Sequence, residues 1–230
     1  MSTKTPDTNY AGHEELYLRR RREAANGWDS DEVTRENIQA IEHLLSKCDP
    51  RPSGAMLELG CGAGNLTTHF AQSGWEAHGI DISPTAVAWA LERSNALGLT
   101  LDVRTGSVLE LEPYATSRFD LVLDGHCLHC IIGVDRSRFL QEAMRVLKPG
   151  GKLLVLTMAG DASAVPMRGQ YDPVSRCQVI DGTMTRYFGD PLSIVDEIVQ
   201  AGFRVDYEEL QVRSNASETD HLLVVAGSPA

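Results

Sequence analysis

No stretch of about 18 consecutive apolar residues occurs, which is the length a membrane-spanning helix needs, and the polar Met1–Tyr10 carries no apolar export signal. A soluble, cytoplasmic protein with no membrane partner is the expectation. Basic residues are in deficit, since 21 Lys and Arg stand against 32 Asp and Glu to give a net charge of −11. That balance ill suits a protein holding a polyanion, so no nucleic-acid partner is expected. Cysteine is sparse and odd in number: Cys48, Cys61, Cys127, Cys130 and Cys177 sit in a chain long enough to bury a core without cross-links. Reduced thiols follow. There is neither an internal repeat nor a low-complexity tract, and 42% hydrophobic with 23% charged residues is close to the globular average.

Along the chain, a polar tail precedes a helix-favouring segment, Glu14 to Ala25, with the basic run Arg19 to Arg22 on it. Such a run reads as a solvated helix face or as a surface turned to substrate or partner. A second helix is predicted from Glu32 to Lys47, where Val33, Ile38, Ile41, Leu44 and Leu45 recur at helical spacing before the break at Asp49-Pro50-Arg51-Pro52. Residues 1–50 are therefore expected to form a tail and lid helices, and residues 51–230 the main domain.

Beyond the break the period changes. Short apolar runs at Ala55–Leu59, Glu76–Ile80, Leu101–Thr105, Phe119–Leu123 and Lys152–Thr157 are mostly separated by helix-length segments, the pattern of buried parallel strands with crossover helices. Ser83-Pro84 and Asp190-Pro191 are helix starts, each an N-cap followed by proline at the first helical position, and Gly98 supplies a stop. Arg204–Val212 and His221–Ala226 lack a helical segment between them, which predicts an antiparallel pair. Between strand and last helix, residues 158–190 form a long insert with Met158, Met167, Tyr171, Met184, Tyr187 and Phe188. A segment of that length in a domain is expected to cover a site.

The chemistry concentrates at Glu58-Leu59-Gly60-Cys61-Gly62-Ala63-Gly64, directly after the first predicted strand. Glycines there let the backbone approach a ligand closely. Asp81, at the end of the second strand, can accept both hydroxyls of a ribose, so an adenosine-type ligand across the strand ends is predicted. A dinucleotide fingerprint needs its third glycine one residue later, where Asn65 stands, and Glu58 has no task beside a pyrophosphate. The carboxylate suits a ligand carrying an amino group instead.

At these residues the chain resembles the class I methyltransferases that use S-adenosylmethionine (SAM), whose first motif reads E-x-G-x-G-x-G. The resemblance runs over about Ala55–Ala226 and implies a Rossmann-like α/β fold, a seven-stranded mostly parallel sheet with its last strand antiparallel. It implies cofactor contacts from Glu58, Gly60, Gly62 and Gly64, from Asp81 on the ribose and Ile82 on the adenine, and from Ser107, Val108 and Asp124. Ser107 stands where the family usually has an acid, which moves that adenine contact toward a backbone group. Leu147–Gly151 and Ala201-Gly202-Phe203 match family turns without a ligand role.

The loop after the fourth strand reads Asp124-Gly125-His126-Cys127-Leu128-His129-Cys130 and lacks the Asn/Asp-Pro-Pro-aromatic motif of enzymes that methylate amides and nucleobases. Three readings of its His-Cys cluster remain open: a packed helix start, a general base at His126 or His129, or a metal site. Cys127-x-x-Cys130 has zinc-like spacing but no second ligand pair, so no metal is expected. Arg186-Tyr187 in the insert is the candidate grip on a carboxylate or aromatic acceptor. The function implied is SAM-dependent methylation of a small molecule. The rivals are a protein or RNA methyltransferase and a SAM-binding subunit without catalysis.

Overall fold

The computed structural model describes residues 8–48, 54–213, 215 and 218–229; the tail up to Asp7 and the predicted break at Asp49–Pro52 lie outside them. The apolar runs form β1 (Ala55–Leu59), β2 (Glu76–Asp81), β3 (Asp102–Thr105), β4 (Phe119–Gly125) and β5 (Leu147–Ala159), all parallel. After the insert sheet described below come β9 (Arg204–Gln211) and β10 (Asp220–Gly227), giving the order β3-β2-β1-β4-β5-β10-β9. Within this sheet, among the described residues, β10 alone runs opposite to the other strands. The expected Rossmann-like sheet is therefore present, and most strand ends fall within two residues of their predicted places. The start of β5 does not, because Leu147 already pairs with Phe119 before the Pro149–Gly151 turn bulges out and Lys152 rejoins opposite Leu121.

Helices α1 (His13–Arg22) and α2 (Asp31–Leu45) precede the sheet, and α3 (Asn65–Gln72), α4 (Pro84–Ala96), α5 (Asp135–Val146) and α6 (Pro191–Gln200) connect its strands. The two predicted caps form: Ser83 Oγ accepts from Ala86 N at 3.0 Å and Asp190 Oδ1 from Leu192 N at 3.0 Å. Each such cap contributes about 1 kcal/mol. Alternate strand residues face opposite layers. Met56, Leu121, Leu123, Leu154 and Leu156 pack with Ile41, Leu44, Phe70, Val87 and Ala90 of α2, α3 and α4, whereas Leu57, Leu59, Val122, Leu153 and Val155 pack with Phe139, Ile194 and Ile198 of α5 and α6. Burial on both faces explains why these strands read as unbroken apolar runs. No helix among the described residues is long and apolar enough to cross a membrane.

β1 lies between β2 and β4, so the strand order reverses there. Sheets of this kind bind ligands at the carboxyl ends beside that reversal. Above those ends stands a second sheet that the sequence reading missed, β6 (Gln170–Asp172), β7 (Cys177–Ile180) and β8 (Thr183–Tyr187), antiparallel in the order β6-β7-β8. It occupies the insert. Its strands are three to five residues long and mostly half-buried, which leaves no clean alternation to read. The available signal was Asp181-Gly182, both in the left-handed region at φ 51 and 81, the pairing that closes a tight hairpin.

Candidate cofactor and acceptor site

One cavity of about 1040 Å³ opens at the carboxyl ends of β1 and β4 and reaches under the insert sheet. Sites for single small ligands usually occupy about 300–1,000 Å³, so this one has room for two side by side. Glu58, Gly60, Gly62, Asp81, Ile82, Ser107 and Val108 share its wall, which brings most of the predicted cofactor residues together. Gly64 stands behind them at the start of α3.

The glycine loop is held by the acid that was predicted to serve it. Asp81 accepts from Gly62 N at 2.9 Å and from Ser83 N at 2.8 Å, which fixes its carboxylate at the strand end. Burial raises its pKa and those two amides work against the rise. A Cβ on Gly62, at φ 54, would stand 2.5 Å from Tyr17 Oη, and one on Gly64, at φ 74, would meet Ala90 Cβ at 2.8 Å. Larger residues fit neither the space nor the backbone. Glu58 accepts from the Thr67 hydroxyl, and burial pushes its carboxyl up to about 8. Such a group has a strong preference for a cation beside it.

Asp124, placed among the cofactor contacts from sequence, is not on the cavity wall. Its side chain is wholly buried, with Oδ1 accepting from Cys127 N and Leu128 N at 2.8 Å each. Its visible work is to shape the turn that carries His126 and His129 (a short 3-10 turn, Leu128–Cys130, ends it). Burial lifts its carboxyl to about 7.

Residues of α1 and α2 also line the cavity. Glu14 of α1 accepts from Ser83 Oγ and Thr85 Oγ1, each at 2.5 Å, and from Thr85 N at 3.2 Å, so it crowns the start of α4. The basic run divides: Arg21 pairs with Glu92 at 2.5 Å and lies over Trp89, while Arg19 and Arg20 line the cavity. Tyr17, Trp28, Asp29 and Asn37 also line it, and none was predicted. No spacing rule links them to a glycine loop that begins about twenty to forty residues further along the chain.

The other half of the cavity is lined by His126, His129, His221, Arg186, Gln178, Met158 and Phe188. His126 sits at φ 71, a left-handed conformation that costs a non-glycine residue about 1 kcal/mol. Its ring stands 4.8 Å from that of His221 and 5.8 Å from that of His129. Burial holds all three imidazoles neutral, His126 down to about 3, His221 to about 4 and His129 well below its usual range. His221 was not predicted as a site residue; it arrives from β10, the far end of the chain. Arg186 donates to Gln178 Oε1 at 3.0 Å and faces the cavity. Tyr187 does not, because alternate strand residues point apart; its ring lies under the Arg136 guanidinium at 4.5 Å.

Burial likewise raises the Cys127 thiol far above its ordinary value and that of Cys130 to about 11, so both sit as neutral thiols. Among the described residues no three His, Cys, Asp or Glu side chains are grouped to hold a metal ion. Elemental analysis of protein purified without chelator is expected to find far less than one zinc or iron per chain. A stoichiometric metal would turn the His-Cys turn into a ligand set.

A sheet reversal, a glycine turn and a buried strand-end acid together make a site suited to a nucleoside-type ligand. The comparisons narrow the class. Residues 57–155 match the family model described as a methyltransferase domain. The chain is 37% identical over 107 residues to norajmaline N-methyltransferase of Rauvolfia serpentina, covering 45% of this chain and 36% of that protein. It is 31% identical over 137 residues to a ubiquinone biosynthesis O-methyltransferase of Xanthomonas axonopodis pv. citri, covering 57% of this chain and 55% of that one. The chain thus spans about half or less of these relatives. Its fold is shared with the 1,6-didemethyltoxoflavin-N1-methyltransferase of Burkholderia thailandensis, solved with 1,6-didemethyltoxoflavin and S-adenosylhomocysteine bound, at TM-score 0.61 and 17% identity over 99% of this chain and 94% of that one. Residues 57–155 are thus similar to a methyltransferase domain, and the sheet around them has the strand order of the expected Rossmann-like fold.

Proposed function

We propose that the protein binds SAM along the Glu58–Asp81 wall and methylates a small molecule held beneath the insert sheet. The observation that carries this reading is a single cavity with two chemically different halves, a glycine-and-acid wall and a wall of neutral imidazoles with an arginine. The residues fit the cofactor. Glu58 is a buried carboxyl lacking a cation, suited to an ammonium group, and Asp81 is held by backbone amides where it can accept from ribose hydroxyls. Ile82 and Val108 offer apolar surface for the adenine, with Ser107 beside them. When bound, SAM supplies a methyl group on a sulfonium, so electrophile and leaving group come built in.

The protein's remaining work is to place the acceptor and take its proton. Arg186 is the anchor for an anionic or electron-rich acceptor, and His126 is the base, neutral at working pH. The acceptor's X–H proton passes to that imidazole as its lone pair forms the new bond to carbon. A screen of small phenols, amines and carboxylic acids with methyl-labelled SAM tests the reading. Label in a small product supports it; label in protein or RNA alone, or SAM binding with no transfer to any acceptor, would favour one of the rivals.

Cofactor binding also carries a pH signature. Glu58 is raised, so at pH 7 it is mostly protonated before binding, and a cation beside it favours the carboxylate. Binding should release about one proton near pH 7, and affinity should tighten by up to about tenfold per pH unit from pH 6 toward 8, then fall as the cofactor's ammonium group itself loses its proton. Calorimetry in buffers of different ionisation enthalpy measures it. No proton release would mean that Glu58 does not meet the amino group.

A further inference from the structure

His126 is fixed from above by two residues of the lid. Its Nε2 lies 3.1 Å from Asn37 Oδ1, while Asn37 Nδ2 donates to Asp29 Oδ2 at 3.3 Å. The second contact settles the first. A carboxylate can only accept from the amide nitrogen, so the Asn37 carbonyl is left facing the ring, and a carbonyl can only accept. Nε2 must therefore carry the hydrogen. The other ring nitrogen, Nδ1, is sealed from solvent and has no partner, which is an expensive state for a buried nitrogen lone pair.

We infer that Asp29 and Asn37 are positioning residues that lock His126 as its Nε2–H tautomer, so that any proton the ring takes up must go to Nδ1. This rests on the methyltransferase reading for its purpose, although the tautomer itself does not. The arrangement assigns a task to the lid beyond covering the cavity. Asp29 precedes α2 and Asn37 lies on it, so the base has a defined tautomer only when α2 is seated over the turn after β4. Because Asn37 is an amide rather than a carboxylate, it orients the ring without adding a charge that would hold a proton on it. The other groups around the ring leave it neutral as well. His221 and Arg213 come from the C-terminal hairpin, His129 from the turn after β4, and Glu36 of α2 is drawn off by Arg213 at 3.5 Å.

The test reads the ring nitrogens directly and needs no acceptor. Long-range proton–nitrogen correlation spectra of protein labelled at histidine nitrogens, with the His126 signals identified by their loss in His126→Gly, report which nitrogen bears hydrogen. The wild type should show the Nε2–H form in at least about tenfold excess over the other tautomer. Asn37→Leu should bring the two forms to within about threefold of each other, and Asp29→Asn should move them in the same direction, since the amide of Asn37 is then free to turn. Asn37→Asp should keep the Nε2–H form and raise the imidazole pKa by about one unit or more, because an acceptor carboxylate now faces the ring. An Nδ1–H ring in the wild type would overturn the inference, as would an unchanged tautomer in folded Asn37→Leu and Asp29→Asn proteins. A merely structural Asn37 would alter melting temperature but not these signals. SAM affinity, measured on the same samples, separates the two claims: loss of cofactor binding in the wild type sinks the methyltransferase reading and leaves the tautomer result standing.

Discussion

Replacement of His126 by glycine is expected to lower single-turnover methyl transfer about 10²-fold to 10⁴-fold while leaving the fold and SAM affinity nearly untouched. The choice of glycine matters. His126 sits at φ 71, so glycine relieves about 1 kcal/mol of backbone strain that alanine would keep. That relief offsets the lost bond to Asn37, itself worth about 1 kcal/mol, and the melting temperature should move by no more than about 4 °C. Stability and catalysis are thereby separated. SAM affinity should hold because the cofactor wall proposed above rests on Glu58 and Asp81, on other strands.

The pH dependence sharpens the test. With its pKa lowered to about 3, the wild-type imidazole is neutral across any working range, so the rate should show no acid limb near pH 6.5 from this residue. In the glycine variant solvent must remove the proton, and for a hydroxyl acceptor the rate should climb by about tenfold per pH unit until the acceptor ionises. Rates within about threefold of the parent at every pH would remove His126 from proton transfer and leave positioning as the main device. His129→Ala is the companion. If its rate alone collapses, the base is His129, and the bare Nδ1 of His126 needs another explanation.

The parts of this molecule legible in its sequence are those whose signal is local. β1 and β4 are largely apolar because both faces are covered, the caps at Ser83 and Asp190 follow from adjacent residues, and the glycine turn with Asp81 lies within one strand-turn-helix-strand unit. The other half of the cavity was legible only in part: His126, His129 and Arg186 stood out in the loop and the insert, whereas its remaining residues arrive from far along the chain. His221 reaches the cavity from β10, and Asn37 and Asp29 reach it from the roof, 89 and 97 residues away in sequence from the histidine they serve. Pairs that close over such distances leave no periodicity. Asp124 was misplaced because a strand-end acid beside a ligand crevice and one folded back to hold its own loop read identically; only the amides of Cys127 and Leu128 distinguish them. Tyr187 fell to register, since a half-buried strand gives no clue which of two neighbours faces the cavity.

Asp81→Ala is expected to weaken SAM binding by about 1–3 kcal/mol, a factor of roughly 5 to 150, which is the usual range for a charge-assisted hydrogen bond in a buried site. In this protein the upper part of that range is the expected result. The carboxylate does two things at once, offering acceptors at the end of β2 and holding the amides of Gly62 and Ser83. Removing it frees both. Gly62 is at φ 54 with Tyr17 Oη close against it, so a loosened loop has room to move only by displacing α1 from the roof. The free protein should therefore lose some stability as well. Asp81→Asn separates the two effects: its carbonyl can still accept from one amide, whereas its NH₂ would oppose the other, so half the loop support remains without the charge. Calorimetric titration with S-adenosylhomocysteine, read beside melting temperatures, gives both quantities for each variant. If both variants are folded and bind as the parent does, the ribose is not held at the end of β2, and the cofactor must lie elsewhere in the cavity. If binding falls equally in both, the charge at the hydroxyls dominates. A larger fall for alanine than for asparagine assigns the difference to the loop that Asp81 holds in place.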